Sequence, residues 1–263
     1  MKRRAAIIWV WGLVLIAGAV GGGYAWWRQQ DVAQAYEAGR ALADSQKWEE
    51  ALALAQPYAE RDDPRINGLL ADAYINGPEP IQDIDKGLTL RRRAAEAGDM
   101  RAAYFMGMWI LEHEPTDTQA QEAIGYIQEA ADCGMPMANY YVGKMHENGM
   151  YFEENIEMSL RYIEVSASSG IRDAVWDAYV LSSKLAYKPD ANIEVLGEKS
   201  TAWLFRANAL GDKRASKIIF KMKMKAEEPS NAPWGEEIEH LNGQSVHWLN
   251  DLQPVDVFEC GPT

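Results

Sequence analysis

Small and large apolar positions recur along this chain at helical intervals inside a period close to 36 residues. Gly98, Gly134, Gly170 and Gly211 each close such a segment, at spacings of 36, 36 and 41. Eight residues before them stand Leu90, Tyr126, Tyr162 and Trp203, always bulky; eleven before stand Gly87, Ala123, Ser159 and Ser200, always small. Three and four before come Ala94-Ala95, Ala130-Ala131, Ser166-Ala167 and Ala207-Asn208. Small, large, small at helical spacing describes a stripe that lets a neighbouring helix approach closely and fills the remaining space with a large side chain. The glycine that follows suits the left-handed residue that ends a helix.

A second ladder starts after each glycine. Ala102, Ala138, Ala174 and Ala215 open it, and Met106, Val142, Ala178 and Ile219 follow four residues on. In two units the next residue is glycine, Gly107 or Gly143. One period earlier the same face reads Ile66, Leu70, Ala71 and Tyr74. Each unit is therefore expected to be helix, loop, helix, with polar loops over 76–85, 112–121, 147–155 and, longest, 185–198. Upstream, 31–65 reads as one more pair, its second helix opened by Trp48, Ala51 and Leu52; Ala51 lies 36 residues before Gly87.

These residues resemble a known family. AAEAG at 94–98, AADCG at 130–134, the A-x-x-x-M-G pattern and YINGPEPIQDIDKG are similar to the Sel-one-like repeat, a relative of the tetratricopeptide repeat with a longer loop between its helices. The likeness is good over 66–211 and weaker over 31–65 and 212–225. Ser166 and Ser182 depart from the pattern in the third unit, and the fourth lacks the glycine of its first helix. The resemblance implies an all-α, right-handed α-solenoid of stacked antiparallel helix pairs that binds proteins or peptides. Stacking has an independent reason, since one pair cannot bury its apolar face alone. Pro233-Trp234, Ile238, Leu241, Trp248, Leu249 and Leu252 predict a capping helix and tail over 230–263, after a linker at 225–233.

The N-terminus changes the picture. Residues 1–4 are MKRR, and residues 5–27 carry no charge. As a helix they would reach about 34 Å, enough for a hydrocarbon core. The basic cluster predicts a cytoplasmic N-terminus, a single-pass transmembrane anchor in a bacterial inner membrane, and a periplasmic repeat domain. The other reading is a cleaved signal peptide cut near Ala17-Gly18-Ala19, releasing the domain to the periplasm. The apolar run continues past that site to Trp26 and Trp27, which favours the uncleaved anchor.

The net charge is −13, and beyond residue 28 the chain holds 22 basic and 39 acidic side chains. That balance argues against nucleic acid and suits a basic protein partner. The two cysteines, Cys133 and Cys260, show no metal-ligand spacing; they are a candidate disulfide in an oxidising compartment, with two separate thiols as the other reading. His113, His146, His240 and His247 form no HExxH, and no GxSxG or phosphate-cradling loop occurs. No cofactor, metal or catalytic residue is therefore expected, and His146 is expected to be a packing residue.

On the first helices, the face opposite Ala102, Met106 and Ile110 presents Arg101, Phe105 and Met108, then Met137, Tyr141 and Lys144, then Asp173 and Asp177. Rings in a row rimmed by charge predict a protein-binding groove; packing against the adjacent pair is the alternative. The functional expectation is a membrane-anchored periplasmic scaffold or assembly adaptor that binds another protein on its concave face. A second expectation is an immunity protein that sequesters a toxic effector such as a phospholipase. A hydrolase is the remote third.

Overall fold

The computed structural model describes residues 31–226, apart from residue 190. Every regular element among these residues is helical. In chain order they are α1 (31–44), α2 (Trp48–Ala55), a 3₁₀ turn (Gln56–Arg61), α3 (Pro64–Asn76), α4 (Ile84–Glu96) and α5 (Met100–Glu112). Then come α6 (Asp117–Asp132), α7 (Pro136–Asn148), α8 (Ile156–Ser168), α9 (Arg172–Ala186), α10 (Ile193–Ala209) and α11 (Lys213–Ala226). They divide into two compact units, one ending at Ala102 and one beginning at Ala103. The sequence segments 5–27 and 230–263, expected to be an anchor and a cap, lie outside the described residues. Among the described residues, no helix is long and apolar enough to cross a membrane.

The periodic glycines do what their spacing implies. Gly98, Gly134, Gly170 and Gly211 have φ of 88°, 77°, 83° and 80°, so each turns the chain through the left-handed region at a helix end. At Gly98 and Gly134 the turn is closed by paired bonds: Gly98 N to Ala95 O at 3.0 Å and Asp99 N to Ala94 O at 2.9 Å, then Gly134 N to Ala131 O at 2.8 Å and Met135 N to Ala130 O at 3.0 Å.

The close approach is equally specific. A Cβ on Gly107 would sit 2.6 Å from the Ala123 carbonyl oxygen and 2.6 Å from Ile127 Cγ1. One period later, a Cβ on Gly143 would meet Ile163 Cγ1 at 2.7 Å and the Ser159 oxygen at 3.2 Å. In the first unit the roles are exchanged: Gly87 faces the Ala71 oxygen and the Ile75 side chain. Ala71–Gly87, Gly107–Ala123 and Gly143–Ser159 are thus one contact repeated at 36 residues, where a glycine of one helix lies against a backbone oxygen and an isoleucine side chain of the other. In the last pair the equivalents are Tyr179 and Ser200, both half-buried. Trp203, in the same helix as Ser200, is fully buried in the core of this unit, its indole N–H donating to Glu164 Oε1 at 3.2 Å.

One register assignment is corrected. Leu90, Tyr126 and Tyr162 are only half-buried. The closed positions in those units lie one residue later, at Arg91, Ile127 and Ile163; in the last pair Trp203 is closed as expected, with Leu204 beside it. A tyrosine at the rim keeps its hydroxyl in reach of polar groups, and Tyr162 Oη accepts from Gln128 Nε2 at 2.8 Å. Two loops are also shorter than the polar run suggests. Thr116 and Gln119 form a capping box that starts α6 at Asp117, and Asn192 accepts from Val195 N to start α10. The five extra residues of the last interval are absorbed largely by longer helices, 15 residues in α9 and 17 in α10.

The core of the first unit gathers Val32, Ala43, Ala51, Ala55, Ile66, Leu69, Leu70 and Tyr74. Pro57, which lacks the N–H an α-helix needs, stands where α2 gives way to the 3₁₀ turn. In the second unit, Met106, Ile110 and Ala123 form one cluster. A larger cluster there runs from Ile156 to Ile219 through Ile163, Val175, Leu181 and Trp203.

Candidate protein-binding face

The predicted face falls into two parts. In the second unit, Phe105 and Tyr141 are half-buried rather than open, because a third ring lies among them. Tyr104, buried, meets Phe105 edge-on with centroids 5.0 Å apart and Tyr141 at 5.9 Å. Burial, followed by the neighbouring Tyr141, pushes the Tyr104 phenol well above its ordinary range. Met108 is half-buried, while Met137 is 40% exposed. The predicted row is therefore half-buried and packs partly on itself, with Met137 open at its edge.

Charge closes the next position along. Lys144 Nζ reaches Asp177 Oδ2 at 3.1 Å and also bonds Glu147. Burial works against its ammonium, but the two carboxylates outweigh that and hold Lys144 above the usual lysine range. Tyr140 donates its hydroxyl to the same Asp177 oxygen at 3.2 Å, and burial, with that carboxylate beside it, pushes the phenol up to about 12. Asp173, with 74% of its side chain exposed, lies 3.6 Å from Arg214.

Sequence reading missed a second aromatic row. Tyr104, Tyr140 and Trp176 recur at 36 residues, two positions after Ala102, Ala138 and Ala174, so the signal was present. Trp176 lies 5.2 Å from Tyr179 and carries the Arg214 guanidinium over its ring at 4.4 Å.

Arg101 belongs to the first unit and joins an ion cluster there. Asp72 binds Arg40 at 2.6 Å and Arg91 at 2.7 Å, with Arg101 Nε at 3.6 Å. Asp72 and Arg91 are both buried. Burial comes first in lifting the nearby Asp99 carboxyl above its ordinary range, although it caps α5 by accepting from Ala102 N at 2.6 Å. Tyr36, Arg40, Arg65, Leu69, Asp72 and Arg101 line a small recess around this cluster. Arg91 occupies the place of Ile127 and Ile163, a charge at an isoleucine position that sequence comparison between units could have flagged.

His146 packs between rings, 4.6 Å from Phe152 and 5.7 Å from Tyr162. Among the described residues, no three His, Cys, Asp or Glu side chains are grouped to hold a metal. Cys133 is disulfide-bonded; Cys260 lies outside the described residues.

Comparison with solved structures decides the fold. A Sel1 repeat protein from Oxalobacter formigenes superposes with a TM-score of 0.57 at 22% identity, covering 82% of this chain and 88% of that one. The chain has the Sel1-repeat fold. A protective antigen of uropathogenic Escherichia coli, which displays the same fold, gives a TM-score of 0.56 at 16% identity; the likeness covers 88% of this chain and half of the antigen. A looser likeness, TM-score 0.43 at 20% identity, is to the immunity protein Pa5087 of Pseudomonas aeruginosa, and nothing is carried over from it. Among curated proteins, the chitin synthase regulator SKT5 of Saccharomyces cerevisiae is 28% identical over 110 residues, which is 41% of this chain and only 16% of that protein. No family model matches. These likenesses establish the Sel1-repeat architecture; they do not assign the face an occupant.

Proposed function

We propose that this Sel1-repeat chain is a protein-binding scaffold whose partner lies against the first-helix face of the second unit. The carrying observation is the periodic aromatic row of Phe105, Tyr140, Tyr141 and Trp176, half-buried beside the buried Tyr104 and edged by Met137, Lys144, Asp173 and Asp177. Rings that are rigid, half-exposed and bordered by fixed ion pairs are suited to binding another protein surface. The acidic balance of the chain favours a partner with a basic rim. The proposal extends to location: residues 5–27 anchor the chain in a bacterial inner membrane with the repeats in the periplasm, a reading that a disulfide-bonded Cys133 supports.

The test is affinity capture of the full chain from membrane extract, against Met137→Glu and Tyr141→Ala forms whose melting temperatures are measured in parallel. One protein should be recovered with the parent chain and reduced at least tenfold with both variants. Recovery unchanged in both folded variants would remove the partner from this face. If the recovered protein is a toxic effector, the scaffold is an immunity protein.

A further inference from the structure

Helix α11 departs from the rest of this acidic chain. Residues 213–226 hold six lysines and arginines and no acidic residue. Its inner side is anchored: Ala215 and Ile219 are buried, and Ile218 and Met222 pack against the core of the second unit. Its N-terminus is fixed by buried Asp212, which accepts from Arg214 N at 2.8 Å and from the Arg214 guanidinium at 2.6 Å. The opposite side is open. At helical spacing Lys213, Lys217, Phe220, Lys221 and Met224 share it, with Phe220 63% and Met224 51% exposed. A large ring left in water among cations of one sign is a face that lacks its cover.

We propose that this face is covered by the chain's own C-terminal segment, residues 227–263. That segment begins where α11 stops and has the complementary composition: eight acidic residues and no lysine or arginine. Trp234, Ile238 and Leu241 fall at i, i+4 and i+7, interleaved with Glu236, Glu237 and Glu239. Apolar residues at that spacing meet Phe220 and Met224, and the three glutamates meet Lys217 and Lys221. A second tether acts at the far end. Cys133 is disulfide-bonded, and its pairing with Cys260, the other cysteine of the sequence, would hold the segment at both ends on the same unit. Tethering raises the effective concentration of the segment to about the millimolar range, where weak pairing suffices. The outcome is a closed last helix pair, as a stacked array requires.

The experiment is zero-length carbodiimide coupling of lysine to carboxylate in the full chain, with equal parts of ¹⁴N and ¹⁵N protein, read by peptide mass spectrometry. The expected products join Lys217 or Lys221 to Glu236, Glu237 or Glu239 within one isotope, and their yield falls at least tenfold in 1 M salt. Lys217→Glu with Lys221→Glu should lose the surface's protection of Phe220 in hydrogen exchange, and changing the three glutamates to lysine in the same chain should restore it. Products joining ¹⁴N to ¹⁵N chains would overturn the proposal in favour of a second copy. Protection seen only with vesicles of anionic phospholipid would overturn it in favour of a lipid surface, and no product with an unprotected α11 would overturn it outright.

Discussion

Gly107 carries the sharpest structural prediction. Replacing it with alanine puts a methyl group 2.6 Å from a backbone oxygen, that of Ala123, and 2.6 Å from Ile127 Cγ1, with Ile127 Cδ1 at 3.2 Å. A flexible side chain could move aside, but the Ala123 carbonyl belongs to the α6 backbone, so α5 and α6 must separate. Overpacking of this kind costs about 1–3 kcal/mol. Alanine returns about 1 kcal/mol of helix propensity. The net expected loss is therefore about 0–2 kcal/mol, or a melting temperature lowered by up to roughly 8 °C for a domain of this size. Gly125→Ala is the control, because Gly125 lies inside α6 with nothing within 4 Å of the added methyl and should gain stability. Thermal unfolding followed by circular dichroism on both variants separates the terms. If Gly107→Ala proved as stable as Gly125→Ala, the helix backbones would not cross at the periodic glycine.

Arg91→Ile leaves the buried Asp72 with Arg40 and is expected to cost about 3 kcal/mol, whereas Arg91→Ile with Asp72→Met, the residues of the next unit, should recover most of it in urea unfolding. Asp212→Asn should cost about 1–2 kcal/mol by weakening the α11 cap and its fork with Arg214. The Arg214 side chain depresses the Asp212 carboxyl, so its contribution is full above the ordinary carboxylate pKa near 3.8 and is lost as pH falls through the lower folded value. Parent and Asp212→Asn chains should therefore converge in stability in that acid window and differ at pH 7. Peptide mapping without reductant should recover a Cys133–Cys260 linkage; two alkylatable thiols would exclude it.

The repeat was legible because backbone constraints are local. A left-handed glycine and a close crossing each admit few residues, so Gly98, Gly134, Gly107 and Gly143 betray themselves by spacing alone. The bulky ladder was harder. Tyr126 and Tyr162 look like core residues in sequence, but their hydroxyls keep them at the rim, and the fully closed places belong to Ile127 and Ile163. Loop ends at Thr116 and Asn192 were overrun because capping residues are polar, like loops, yet start helices. The face was half legible. Helical spacing located Phe105 and Tyr141, while their exposure depends on Tyr104, whose burial follows from tertiary packing rather than from any local pattern. The Asp72–Arg91 pair joins α3 to α4 across 19 positions, a distance no single-helix pattern reports.

Photo-crosslinking in living cells tests the central claim most directly. A photoreactive residue is placed at Met137, on the first-helix face, or at Glu129, exposed on α6. Binding through the aromatic face predicts one discrete protein adduct from position 137 and none from position 129. An adduct from 129 with none from 137 would contradict it.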